Sequence, residues 1–202
     1  ASRNTGLKKE DVMLKKVTMP DIQAALTQSY LRVSQILYFS IILGATFFLA
    51  VIVFIFLQVP GNATADEQAV DFINRLSLVH GALFAAALFL SGFLYRRLLG
   101  EERIEAMMGR MNPDDKGNYA YCCLAVIRTA QIIRTAILEM AVFFGLVVCF
   151  MAVTNKVMYQ YPYYWANAGS YAVFIIILIK DFPSREKIME LFKNKMKYLL
   201  QY

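Results

Sequence analysis

The sequence predicts an all-α integral membrane four-helix bundle made of two tandem hairpins, with an N-terminal extension and a C-terminal amphipathic helix. Three observations lead there. Of 202 residues 58% are hydrophobic and only 18% charged, with a mean hydropathy of +0.47, a balance foreign to a water-soluble domain of this size. Four apolar runs are long enough to cross a bilayer. The first hairpin also aligns on the second when the chain is slid along itself by 96 residues.

Residues 1–30 are read as a cytoplasmic arm and the start of the first helix. Residues 1–19 are polar; Pro20 then suits a first helical turn, where its missing N–H is no loss. Ile22, Leu26, Tyr30 and Val33 should carry that helix unbroken into the first span, residues 37–57. At 1.5 Å per residue the span is about 31 Å long, the thickness of the hydrocarbon layer. It starts too far along the chain, and is too long, to be the apolar core of a cleavable signal.

The first hairpin is assigned to residues 31–100. Its second helix lies between Arg75 and the pair Arg96, Arg97, with His80 as the one ionisable residue inside. Gly81, Ala82, Ala85, Ala86, Ala87, Ser91 and Gly92 crowd it, and small side chains let backbones approach. This helix is therefore expected at the centre of the bundle. Residues 101–125 are assigned to a loop, with a turn at 112–117 that has too few acidic positions for an EF-hand. The second hairpin, residues 126–181, should hold a third span at 135–153, carrying Glu139, and a fourth at 161–179 closed by Lys180.

Residues 182–202 are assigned to a tail helix, preceded by the turn and cap residues Asp181, Pro183 and Ser184. Ile188, Leu191, Phe192, Met196, Leu199 and Leu200 fall at helical spacing opposite Lys187, Lys193, Lys195 and Lys197. Such a helix serves as an anchor under the protein's own bundle or as a docking helix for a partner subunit.

The net charge of +6 is divided unevenly. Six Lys or Arg lie in residues 1–35, seven in 96–134 and six in 180–202, leaving only Arg75 and Lys156 for the other side. The positive-inside rule puts both termini and the central loop in the cytoplasm. Basic residues that flank spans face an anionic membrane surface, so nucleic acid is excluded as a partner. The opposite side holds Asp66, Glu67 and Asp71, the tripeptide Asn62, Ala63, Thr64 that has the form of a glycosylation sequon, and a belt of Tyr159, Tyr161, Tyr163, Tyr164 and Trp165.

In the duplication, Arg32, Gln35, Ile36, Ile41, Ala45, Phe47, Phe48, Val51 and Phe54 each meet the same residue type 96 positions on. Both repeats span an even number of times, so the halves should be related by a pseudo-twofold axis along the membrane normal. Leu43 is replaced by Glu139 and Tyr38 by Arg134, the two changes that bring charge into the third helix.

Glu139 is the main candidate for function, because a carboxylate at the centre of a span costs about 2.5–3.5 kcal/mol and calls for a partner or water. Arg134 and Thr135 share its stripe; it is read as a structural carboxylate paired with Arg134, Arg32 or a tyrosine, or as a proton or ion site. Arg32, Gln35, Arg128 and Gln131 are the candidates for a lipid headgroup. His80 is read as an interhelical hydrogen-bonder, with a haem or pigment ligand set against that reading.

Catalytic and metal sites are not predicted. Adjacent Cys122 and Cys123 bridge only with strain, Cys149 lies in an apolar run, and a single histidine excludes a multi-His site. No nucleotide-binding, zinc-protease or nucleophile-elbow motif occurs. No cofactor is predicted beyond lipid.

Arg128, Gln131, Arg134, Thr135, Glu139, Ala141, Phe143, Phe144, Gly145 and Leu146, followed by Phe182, Pro183, Ser184, Glu186, Lys187 and Ile188, resemble a group of small bacterial four-span membrane proteins. The resemblance covers most of the second half and, through the duplication, part of the first. It implies a bacterial inner membrane location and the fold, but no activity. The chain departs from the group in its long N-terminal arm and in Met140, where glycine is usual. The same run is more weakly similar to the carboxylate helix of rotary ATPase proteolipid subunits. Against that identity stand the carboxylate's place in the first helix of a hairpin, the lack of a Gly-x-Gly-x-Gly helix and the length of the central segment. The sequence thus leads to a non-catalytic accessory subunit of a larger membrane complex, with other membrane subunits and lipids as partners. A transporter or channel using Glu139 comes next, then a binder of lipid, quinone or pigment.

Overall fold

The computed structural model describes residues 18–58, 64–100, 103–104 and 116–195. The polar arm before Thr18, the sequon at Asn62, the turn at 112–115 and the tail after Lys195 lie outside them. Among the described residues the chain is helical, with no strand.

α1, Met19–Ala25, starts on a reciprocal cap: the Asp21 N–H donates to Thr18 Oγ1 at 3.4 Å, and the Thr18 N–H donates to Asp21 Oδ2 at 3.0 Å. The expected continuous helix into the first span is corrected here. α1 stops at Leu26, and Thr27 opens α2, Gln28–Gln58, by accepting the Tyr30 N–H at 3.2 Å. The break lets Ile22, Ala25 and Leu26 bury in one core while α2 carries Tyr38, Ala45 and Ile52 into a second.

α3, Glu67–Leu98, is capped by Asp66, whose carboxylate accepts the Gln68 N–H, and ends with Arg96 and Arg97 in its last turn. α4, Lys116–Thr154, begins far ahead of the expected third span and takes up the last part of the segment assigned to a loop. At 1.5 Å per residue it is about 58 Å long, nearly twice a hydrocarbon layer. Lys156 in the left-handed region, φ 64°, turns the chain into α5, Val157–Gln160. The expected fourth span is two pieces, a 3₁₀ helix at Pro162–Ala168 followed by α6, Gly169–Lys180. α7, Arg185–Lys195, closes the described chain. Four stretches, Gln28–Gln58, Glu67–Leu98, Tyr119–Thr154 and Pro162–Lys180, are long and apolar enough to cross a membrane.

α4 is the hub. Half of its most apolar stretch is buried, against 11% for α2 and 17% for α3, and α3, α2, α6 and the 3₁₀ helix all pack on it. The expectation that α3 is central is therefore corrected. A Cβ added at Gly81 or Gly92 would meet nothing within 4 Å, and Ala82, Ala85 and Ala86 face outward. Small residues permit close approach without requiring it. α2 also touches α6, whereas α2 and α3 scarcely meet.

Two cores result. One, along the apolar stretches, joins Tyr38, Ala45 and Ile52 to Leu138, Val142, Leu146 and Phe174. The other joins α1, the end of α3, the first half of α4 and α7. Ile188 and Phe192 of α7 are 1% and 0% exposed there, so its apolar face is spent on the protein's own core. This end, with α1 and α7, is the basic end.

Candidate functional site

Four polar groups sit on this frame. At the end opposite the basic one, the 3₁₀ helix places residues three apart on one face, because such helices have three residues per turn. Tyr164 and Asn167 consequently point inward, at 2% and 6% exposure, and Ser170 in the first turn of α6 follows them at 4%. The Asn167 amide donates to Ser77 Oγ at 3.0 Å and to the Tyr164 carbonyl at 3.0 Å, which fixes its Oδ1 toward His80 Nδ1 at 2.9 Å. An amide oxygen only accepts, so the network assigns the proton to Nδ1. His80 Nε2 is buried without a hydrogen-bond partner among the described residues, its ring edge against Gly145, where a Cβ would come within 2.4 Å of it. His80 is an interhelical hydrogen-bonder in this structure. Its other nitrogen lies against the backbone of α4 at Gly145. A cavity of about 460 Å³ lies beside it, lined by Asn74, Ser77, Phe84 and Tyr163 among others.

At the basic end, Arg134 does not meet Glu139. Its Nη1 lies 2.5 Å from Asp181 Oδ2, and its guanidinium is 5.1 Å from the centre of the Tyr95 ring. Asp181 follows the last turn of α6, at the level of Arg134 on α4, and a reading of it as a mere turn residue passed over this pairing. Thr135 is buried, as is Tyr38 of α2. Gln35 Nε2 donates to the Pro183 carbonyl at 3.1 Å, tying α2 to the same linker. A cavity of about 340 Å³ is lined by Tyr38, Tyr95, Gln131, Arg134 and residues of the linker and α7.

The four headgroup candidates divide. Arg128 donates from Nε to Ser34 Oγ at 3.2 Å and from Nη2 to the Tyr30 carbonyl at 3.0 Å, with its guanidinium 3.9 Å over the Tyr30 ring. It is a strut between α4 and the start of α2. Arg32, its counterpart in the repeat, is exposed. Gln131 is buried, and Gln35 is committed to the linker.

Glu139 stands apart from both cavities. It is half-buried on α4, beside an outward strip of Ile132, Ala136, Met140 and Val147. Among the described residues it has neither a hydrogen bond nor an ion pair, which corrects the expected pairing with Arg134, Arg32 or a tyrosine. No group of three or more His, Cys, Asp or Glu that would hold a metal ion occurs among the described residues. No family model, curated protein or solved structure matches this chain.

Proposed function

We propose that this chain is a non-catalytic subunit of a larger bacterial inner-membrane assembly, crossing the bilayer four times with both termini and the central segment in the cytoplasm. The observation that carries this reading is Glu139. A carboxylate in an apolar stretch, at the margin of an outward-facing strip and without a partner among the described residues, is costly in hydrocarbon and is relieved by a donor from another polypeptide. α1 and α7 are occupied by their own core, so the partner surface is the spanning face beside Glu139.

The duplication belongs to the same proposal. Tyr38 and Arg134, equivalent under the repeat, line one cavity, and α2 packs on α4, as the first helices of two halves around a common axis would. The likeness to small bacterial four-span proteins supports the setting.

A photo-crosslinking residue at Met140, 75% exposed, tests the interface in native membranes, with Ala86 on the outward side of α3 as the comparison. Crosslinks to one defined membrane protein from Met140 alone are expected. Labelling of lipid only from both positions contradicts the reading. A transporter would instead lose ion flux on Glu139→Gln while remaining a solitary protein.

A further inference from the structure

The cavity at the basic end gathers charge from three separate elements. Arg134 comes from α4, Lys180 from the last residue of α6 and Lys187 from the first turn of α7, and these three cations face the two carboxylates Asp181 and Glu190. One positive charge is in excess. The pairing inside leaves donors over: Arg134 uses Nη1 on Asp181, while its Nε is buried with no partner among the described residues. Lys187 Nζ donates to the Lys180 carbonyl, which holds that ammonium at the end of α6. Tyr38, Tyr95, Gln131 and Asn194 add neutral hydroxyl and amide donors around the same space.

We propose that this cavity binds a phosphate group, carried by an anionic lipid headgroup or by a small soluble phosphate. A group with several acceptor oxygens suits a site that offers a guanidinium, two ammonium groups and uncharged donors together; a guanidinium fork is the side chain best matched to phosphate. The volume, about 340 Å³, is at the small end of ligand sites and admits a headgroup-sized molecule. Tyr38, Tyr95 and Arg134 lie on the apolar helices and Lys180 ends one, so the cavity opens where headgroups sit if these helices span a bilayer. Of the four residues expected at a lipid headgroup the cavity takes in Gln131 but not Arg32, Gln35 or Arg128, and it is independent of whether Glu139 meets a partner.

The test uses the full chain, purified and delipidated in detergent, with phosphatidylglycerol, phosphatidylcholine, inorganic phosphate and glycerol 3-phosphate as probes. Binding is read by native mass spectrometry and by the shift in unfolding temperature. Lys180→Gln with Lys187→Gln removes two cations that pair with neither carboxylate, and Lys193→Gln removes an exposed one on α7 that does not line the cavity. The double variant should weaken phosphatidylglycerol about thirtyfold, with Lys193→Gln unchanged. Arg134→Lys, which keeps the charge opposite Asp181 and removes Nε, should weaken it as well. The same dependence for the soluble phosphates instead assigns the site to a soluble ligand. Equal binding of phosphatidylcholine and phosphatidylglycerol, equal losses in Lys193→Gln, or no binding of any probe overturns the proposal.

Discussion

Gly145 is the residue where a single methyl group matters most. A Cβ there would come within 2.4 Å of His80 Nε2 and 2.9 Å of the Asn167 carbonyl oxygen, so the ring that ties α3 to the 3₁₀ helix would have to move. Gly145→Ala should destabilise the protein by about 1–3 kcal/mol, an overpacking cost larger than the gain in helix propensity. Gly81→Ala, which adds a methyl group to open space, should be neutral or slightly stabilising. Thermal unfolding of both in the same detergent decides the matter. The Arg134–Asp181 pair belongs to the same scale. Its side chains are 26% and 28% exposed, between surface and buried pairs, and a double-mutant cycle with Arg134→Gln and Asp181→Asn should return a coupling of about 1–3 kcal/mol. A coupling near zero would mean that the contact does not hold α6 to α4.

Among the elements, the apolar runs located all four stretches that are long and apolar enough to cross a membrane, because about twenty apolar residues in a row leave few alternatives. Their ends were less legible. Nothing in the apolar pattern distinguishes a helix that continues past its apolar stretch, as α4 does, from one that stops. The break before α2 depends on Thr27, a cap whose role emerges only once Ile22 and Leu26 have a core to enter. Tyr164, Asn167 and Ser170 were legible in principle, as polar and aromatic residues at a spacing of three, a period that a search for helices of 3.6 residues per turn passes over. Glu139 and His80 stood out as charge or imidazole in apolar runs, but their partners did not, since Asp181 and Asn167 come from elements distant in sequence. Phe192→Ala should cost about 3–5 kcal/mol and release α7 to limited proteolysis, whereas a tail reserved for a partner would leave the fold indifferent. Thr18 holds the Asp21 carboxyl below its usual range through hydrogen bonds from its hydroxyl and its N–H. The folded pKa is thus lower than the unfolded one, so the cap's contribution is full above the ordinary carboxylate range and lost as pH falls through the folded value. Amide exchange in α1 should quicken selectively at acid pH in the wild type and much less in Asp21→Asn.

For the whole molecule, the arrangement around α4 explains why so much apolar surface remains outside. α2 and α3 each turn one stripe to α4 and leave Phe39, Phe47, Phe54, Leu78 and Phe89 more than 60% exposed. In a bilayer that surface is covered by lipid, and in an assembly part of it is covered by another subunit. The central claim is that Glu139 marks the second case. Affinity isolation of the chain from its native membrane in mild detergent, with mass spectrometry of what accompanies it, tests this most directly when wild type, Glu139→Gln and Glu139→Leu are compared. The account predicts a stoichiometric membrane partner with wild type that is retained in part by Glu139→Gln and lost with Glu139→Leu. A folded, solitary chain in all three preparations would contradict it.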